Sequence, residues 1–525
     1  MLNWRQLLGV DATSRRQFLA YNAALAAVPF LGNTTQAVEK PRFKDNPFSL
    51  GVASGDPDHR GVVLWTRLAP SPLQPDGGMT PTAVRVGWTV AEDEGFNKVV
   101  AKGSTLATPQ LGHSIHVELS ELKPDRWYWY RFHVGDAVSP VGRTRTLPLP
   151  WAEANQLKFA VTSCQNYEQG LFTAYEQMAR DDVDLVFHLG DYIYEYEAGR
   201  NGKVRTHLGK EVESLGDYRV RLSQYRADPL LQGMHAQCPW FVTWDDHEFD
   251  NNYSNDISEE QGIDPQRFLI RRMAAYQAYY EMMPLRRRSL PRGPHMQLYR
   301  RAPFGRLADL MVLDTRQYRS DQPNGDRKSP LNEAALDPSN SMLGGEQRNW
   351  LYHSLINSRA KWNVLAQQVM MGMVGFPSDD EPLSYSMDQW PGYAAERIQL
   401  MKFLAERRVP NPVVLTGDIH SNWANELRVN DRDPESQLVA SEFVATSLSS
   451  GGNGEDKPSW LEELQSENSF VKFHNRQRGY IRCNVTPETW TSDYMVVDQV
   501  LQPGGKTTVR ASFVVESGDP TIKIA

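Results

Sequence analysis

The sequence predicts a layered α/β domain preceded by a small β-sandwich, and three observations carry that prediction. Between Pro47 and Pro150 short runs alternate apolar and polar residues. Beyond Leu157 short apolar strands alternate with long helical stretches. Three of those apolar strands end in clusters of acids, imidazoles and amides. The chain has 525 residues, 40% hydrophobic and 23% charged, which gives an ordinary globular protein ample material for a core. Its net charge of −8 and isoelectric point near 5.9 exclude the basic footprint of a nucleic-acid-binding surface.

At the N-terminus Ser14, Arg15, Arg16, Gln17, Phe18 and Leu19 precede the uncharged stretch "AYNAALAAVPFLG", then small and polar residues through Ala37. The apolar part is too short for a membrane span, which takes about 20 apolar residues. The order of charge, apolar run and small residues is similar to a twin-arginine signal peptide covering 1–37, to be set aside from the fold. That similarity implies export of an already folded protein by the twin-arginine machinery, to the periplasm or beyond the cell.

Residues 46–147 form the expected β-sandwich. Val84, Val86, Trp88 and Val90 alternate with polar or small residues, as do Ile115, Val117 and Leu119, so one face is buried and the other wet. The run "LKPDRWYWYRFHV" opens on a Leu-x-Pro turn and continues as an aromatic strand, similar to fibronectin type III modules, in which a Tyr pins the corner between strands. Pro148 and Pro150 mark a linker. In the second part, 155–510, strands are expected at 158–162, 185–189, 240–244, 307–313, 362–366 and 413–416. Asp264 and Pro265 open one helix, since Asp caps and Pro fits the first turn, and another covers 394–407. From Tyr480 the β pattern returns in "YIRCNV" and "TVRASFVV".

The chain's three cysteines lie far apart and cannot form a disulfide framework, so at least one thiol stays free or binds something. Cys238 and Cys483 read as small buried hydrophobes. Cys164 ends the strand "LKFAVTSCQN". After "DLVFHLG" come Asp191, Tyr192, Ile193, Tyr194 and Glu195; after "FVTW" comes the run Asp245, Asp246, His247 and Glu248, leading to Asn251 and Asn252; after "PVVLTG" come Asp418, His420 and Asn422. Ligands of α/β sheets bind at such carboxyl ends of strands. One Gly-Asp is a common turn, but three, two of them with His, exceed turn chemistry. Acids packed together repel one another unless a cation neutralises them. A two-metal site for in-line displacement at phosphorus is therefore expected, with Asp191 bridging and Tyr194 beside it as a phenolate.

The set "GDYIYE", "WDDHEFDNN", "GDIH" and the cysteine in "TSCQN" resembles the PhoD-type alkaline phosphatases, relatives of the metallophosphatase and purple acid phosphatase superfamily. "FSLGVASGDPDHRGVVLWTRL", "LMVLDTRQYR" and "LGGEQRNWL" extend the resemblance over nearly the whole chain. It implies a metallophosphatase-like α/β/β/α sandwich and an exported alkaline phosphatase or phosphodiesterase in which metal-activated hydroxide attacks phosphorus, without a Ser or Cys nucleophile. It also implies Fe³⁺ held by Cys164, Asp191, Tyr194 and His420, and Ca²⁺ served by Asp191, Asn251 and Asp418, although Zn²⁺ or Mn²⁺ suits much the same groups. Asp246 and His247 fall where related phosphatases carry Asn-His-Glu. Asp246 is thus open as a ligand, His247 as the group that touches phosphate or protonates the leaving group, and Asn251 or Asn252 as the amide ligand.

Arg316, in "DTRQYR", is either a phosphate clamp or one half of an ion pair with Asp309 or Asp314. The stretch "SLSSGG" at 447–452 reads as a tight turn outside the site. His188 reads as a satisfied core histidine, Glu195 and Glu197 as solvent-facing, and Tyr192 and Tyr196 as lining of the cleft. Segments 199–228 and 320–344 look like lid loops. The nearest alternative is a phospholipase D-like phosphodiesterase. A non-catalytic periplasmic metal-containing binding protein is the other, and the completeness of the ligand set speaks against it.

Overall fold

The computed structural model describes residues 37–38, 41–202, 204–377 and 382–525. The expected signal segment lies outside them except for Ala37.

The strands Leu157–Thr162, Leu185–Leu189 and Trp240–Thr243 run parallel at the heart of a ten-stranded sheet, with Val186 opposite both Ala160 and Trp240. Their sequences, LKFAVT, LVFHL and WFVT, are almost unbroken apolar runs, because strands covered on both faces have no wet side to mark. On one side the sheet continues through Gly479–Val485, Thr489–Val497, Thr507–Glu516 and Asp519–Ile524. A second, seven-stranded sheet has Ala308–Val312, Trp362–Ala366, Pro412–Thr416 and Leu438–Val444 in parallel at its centre.

The two sheets face each other across an apolar core in which Phe159, Val161, Phe187 and Phe241 meet Leu310, Val364, Leu415 and Phe443. The outer face of the larger sheet, with Ala160, Val186 and Trp240, packs against the helices Thr173–Met178, Leu215–Arg226, Pro229–Gln237 and Pro265–Met282. The outer face of the smaller one, with Met311, Leu365 and Val414, packs against Gly344–Ile356 and Ala394–Glu406. Asp264 caps the long helix as its sequence predicts, accepting the Gln266 N–H at 2.8 Å, with Pro265 in the first turn.

In the N-terminal region, where the periodicity suggests a small β-sandwich, one of the two facing sheets is continuous with the ten-stranded sheet. Val84–Ala91, Val99–Ala107, Trp127–Val134, Ala137–Val138 and Gly142–Arg145 form one sheet. Its apolar face meets Val52, Leu64, Ile115 and Val117. Those residues lie on Val52–Gly55, Val63–Arg67 and Ser114–Glu118, which are the last three strands of the ten-stranded sheet, joined to it where Gly55 pairs with Trp240. A largely apolar strand such as Trp240–Thr243 would be an exposed, adhesive edge without that neighbour. Alternation reveals which face of a strand is buried but not which strand it pairs with, so the shared sheet left no mark in the local pattern. At the corner before Trp127–Val134, the Tyr128 hydroxyl accepts the Lys123 N–H at 3.0 Å.

Segment 199–228 is not a loop throughout. It ends in Leu215–Arg226, whose capping box pairs Ser214 with Asp217, two polar residues that masked the helix start. Segment 320–344 stays mostly irregular, with only the short pieces Pro323–Gly325 and Lys328–Ser329. Among the described residues, no helix is long and apolar enough to cross a membrane.

Candidate metal centre

Both sheets deliver polar groups from the carboxyl ends of their parallel strands to one place. Cys164 follows Leu157–Thr162, Asp191 and Tyr194 follow Leu185–Leu189, and Asp245, Asp246 and His247 follow Trp240–Thr243. From the second sheet come Arg316 after Ala308–Val312, and Asp418 and His420 after Pro412–Thr416. Each strand turns sharply as it ends: Cys164, Asp191, Asp418 and His420 have φ of 56°, 54°, 64° and 54°. Left-handed backbone at a residue with a side chain costs about 1–3 kcal/mol and persists only where neighbours enforce it. The enforcement is visible. The Cys164 N–H donates to the Gly190 carbonyl (3.0 Å) and the Gln165 N–H to the Asp191 carbonyl (3.1 Å). The buried Glu248 carboxylate accepts the N–H groups of Asp191, Tyr192 and Asp245 at 3.0, 2.6 and 2.8 Å. Gly190 is required here, since a Cβ on it would lie 2.3 Å from Asp245 Cβ.

Ligand atoms of Cys164, Asp191 and His420 all lie within 4.8 Å of one another, as do those of Asp191, Asp246 and His247, and those of Asp245, Asp246 and Asp418. The Tyr194 hydroxyl joins the first group, 2.8 Å from Asp191 Oδ2 and 3.1 Å from His420 Nε2. Asp191 Oδ1 and Asp245 Oδ2 are buried and have no hydrogen-bond partner. Burial, with Asp191 adding to it, pushes the Cys164 thiol and the Tyr194 phenol well above their ordinary ranges. Both would shed their protons only beside a strong positive charge, as metal ligands do. Thiol, phenol, imidazole and an unpartnered carboxylate oxygen on one spot therefore fit a metal ion.

The second and third groups are organised by Arg316. Its guanidinium is fully buried and meets Asp245 through Nε, Asp388 through Nη1 (2.7 Å) and Asp418 through Nη2 (3.2 Å), with Asp246 at 3.6 Å. Even so, burial pushes Asp418 up to about 7 and Asp245 well above the carboxylate range, against the pull of the guanidinium. His247 lies 2.8 Å from Glu195 Oε2 through Nδ1, with its ring centre 4.2 Å from that of Tyr194. Burial opposes its charged form, but Glu195, Asp246 and Asp191 outweigh burial and hold the imidazolium well above its ordinary range.

Several sequence expectations change here. Arg316 pairs with neither Asp309, which binds Arg301 at 2.6 Å, nor the Asp314 carboxylate, which takes the backbone N–H groups of Arg316 and Gln317. Its donors are spent on carboxylates and not held out as a phosphate clamp. Asn251 sits beside the centre with its amide turned to Glu259 (Nδ2 to Oε1, 2.6 Å), and the Asn252 amide donates to Asp326 (2.7 Å). Glu195 is buried and orients His247, whereas Glu197 is exposed as expected. Tyr192 is a core residue whose hydroxyl meets His235 at 3.0 Å, while Tyr196 flanks His247. His188 is in the core but neither ring nitrogen has a partner. The "SLSSGG" turn belongs to the site: Ser450 Oγ donates to the Cys164 carbonyl at 2.7 Å and lies 2.8 Å from the Tyr194 hydroxyl. Cys238 and Cys483 are buried, and all three cysteines are free thiols.

Replacing Glu195 by Gln should lower kcat about 10–100-fold with little change in KM, the usual cost of removing a group that orients a site residue. Steady-state kinetics with an aryl phosphate would check this; an unchanged kcat would return Glu195 to a purely structural role.

Facing sheets that bring Cys, Asp, Tyr and His donors to their strand ends define a layered α/β enzyme with a candidate metal centre. The signature of the PhoD-like phosphatases matches residues 159–494, and that of the PhoD-like phosphatase N-terminal domain matches 33–148. Alkaline phosphatase D of Bacillus subtilis (strain 168) is 51% identical over 480 residues, which cover 91% of this chain and 82% of that protein. A solved structure of PhoD matches with a TM-score of 0.90 at 50% identity, covering 92% of this chain and 93% of that one. The chain belongs to the PhoD-like phosphatase family and is a phosphoester hydrolase. The non-catalytic binding alternative is thereby set aside.

Proposed function

We propose that the chain is an exported, metal-dependent hydrolase of phosphomonoesters and phosphodiesters, of the alkaline phosphatase type. The observation that carries this reading is the convergence of Cys164, Asp191, Tyr194 and His420, with Asp191 Oδ1 unpartnered. Fe³⁺ is the proposed ion for that set, because thiolate and phenolate suit it. Ca²⁺ is the proposed ion on the side of Asp418 and Asp246, where oxygen donors predominate, with Asn251 as the amide that would join them. When bound, such ions withdraw charge from the phosphoryl oxygens and lower the pKa of water.

The chain's own residues do the rest. Asp191 belongs to two of the three donor groups, which suits a bridge. His247, charged and oriented by Glu195, is suited to hand a proton to the departing alcohol oxygen. Arg316 fixes the acidic set in register.

We read the facing sheets and their outer helices as a metallophosphatase-like α/β/β/α sandwich over 155–510. The N-terminal 46–147 is read as a fibronectin-III-like unit, supported by the Tyr128 corner. We read 1–37 as a twin-arginine signal delivering a folded enzyme to the periplasm or the medium. Chelation should abolish hydrolysis of both 4-nitrophenyl phosphate and bis(4-nitrophenyl) phosphate, and resupply of iron with calcium should restore it. Full turnover in the metal-free protein would overturn the metal-dependent reading.

A further inference from the structure

A cavity of about 600 Å³ opens beside the centre. It touches the site through Gln389, whose Nε2 donates to Asp418 Oδ2 at 3.1 Å, and through Ile419 and Ser421, which flank His420. A larger hollow, about 870 Å³, lies where Leu307, Lys361 and Pro412 lead into the parallel strands. That is the opposite end of the sheet from the chemistry.

The walls of the smaller cavity are aromatic. Trp460 stands 37% exposed, and its ring centre is 5.0 Å from His474, which in turn packs edge-on against Trp423 at 4.3 Å. Lys328 Nζ sits 3.4 Å above the centre of the Phe376 ring. His474 is only 4% exposed, yet neither of its ring nitrogens has a hydrogen-bond partner. Burial, with Arg476 adding to it, lowers its pKa to about 4. The ring is therefore neutral in working conditions and offers one donor and one acceptor. Buried polar groups in native proteins are normally satisfied, so a histidine left unsatisfied in a cavity wall points to a ligand that satisfies it. The cavity is far larger than a phosphoryl group needs and is lined as small-molecule sites are, with apolar rings and a few polar atoms.

We propose that this cavity is the leaving-group subsite and takes a flat nitrogen heterocycle, a nucleobase, stacked on Trp460 and hydrogen-bonded to His474. The proposal rests on the phosphoester hydrolase reading above and names the substrate class for that same site: nucleotides in preference to phosphoesters of small polar alcohols.

Adenosine 5′-monophosphate and ribose 5-phosphate test it, because both release the same primary alcohol oxygen and differ by the base. The metal-loaded enzyme should show kcat/KM at least about tenfold higher for the nucleotide, the effect of stacking one base. Trp460→Ala should bring the ratio to within about threefold of unity by raising KM for the nucleotide, leaving ribose 5-phosphate nearly unchanged. His474→Ala should act in the same direction. Equal kcat/KM for the two compounds in the unaltered enzyme would overturn the subsite while leaving the hydrolase reading intact, as would a parallel loss on both in Trp460→Ala. Hydrolysis of neither compound, with 4-nitrophenyl phosphate also untouched, would overturn the hydrolase reading and the subsite with it.

Discussion

Asp191→Asn should lower kcat/KM by about a thousandfold or more while leaving the fold intact. The carboxylate is buried and shared by two of the three donor groups, and its Oδ1 has no protein partner. A neutral amide would weaken both ion positions at once. Losing several kcal/mol of charge stabilisation in the transition state corresponds to roughly three powers of ten. The choice of Asn matters because Asp191 has φ of 54°, a conformation Asn tolerates better than most residues. Cys164→Ser is the companion: with the proposed ferric ion in place, the variant should lose the thiolate part of its visible absorption, keep the part due to the Tyr194 phenolate, and lose most of its activity. Metal content, visible absorbance and steady-state rates check both. Full colour and activity in Cys164→Ser would return that cysteine to the core; retained activity in Asp191→Asn would remove Asp191 from the bridge.

Arg316→Ala should be the most destabilising single change at the site, by about 3–5 kcal/mol at neutral pH in the chelated protein, the cost of breaking a buried ion pair from one side. Removing this guanidinium leaves Asp245, Asp246 and Asp418 without their shared counter-charge, and Asp388 with Arg319 alone at 2.7 Å. The pH dependence has a definite sign. Burial opposes their charged forms, but the Arg316 charge helps to hold Asp246 and Asp388 below the ordinary carboxylate range. Without the guanidinium both rise, so on acidification the folded variant takes up protons that the unaltered fold does not. Its deficit should narrow as pH falls from 7 towards 4, and added Ca²⁺ should narrow it at neutral pH, because one cation can stand in for another. Denaturant unfolding at two pH values, with and without metal, checks this. A deficit indifferent to both pH and metal would mean that Arg316 acts through packing alone.

The strand-end clusters were legible because parallel strands buried on both faces read as uninterrupted apolar runs. The abrupt polar residues after "DLVFHLG" and "PVVLTG" had to lie at one edge of a sheet. Sequence reasoning missed what depends on irregular backbone or on distant pairing. Glu195 looked solvent-facing because a loop has no period to show which residues turn inward, yet it is buried against His247. Ser450 meets Tyr194 across 256 positions of sequence, and Arg316 meets Asp388 across 72. No local pattern records either contact. In the motif Asp-Asp-His-Glu the last acid, Glu248, serves as a clasp for the backbone N–H groups of Asp191, Tyr192 and Asp245, a role that only the folded strand ends reveal.

The ten-stranded sheet has a consequence for the order of events during synthesis. Leu157–Thr162 pairs on one side with Leu185–Leu189 and on the other with Gly479–Val485, and Val52–Gly55 meets Trp240. The earliest ordered strands must therefore wait for residues made much later, and the strand bearing Cys164 is not enclosed until the chain is nearly finished. Such non-local pairing makes folding slow and leaves nascent edges open to aggregation. A ribosome-bound fragment ending before Gly479 would hold Cys164 and its neighbours Asp191, Tyr194, His420 and Ser450, but would leave one edge of the strand leading to the cysteine unpaired. The proposed twin-arginine route, which waits for a finished fold, is the kind of export that such a topology can use.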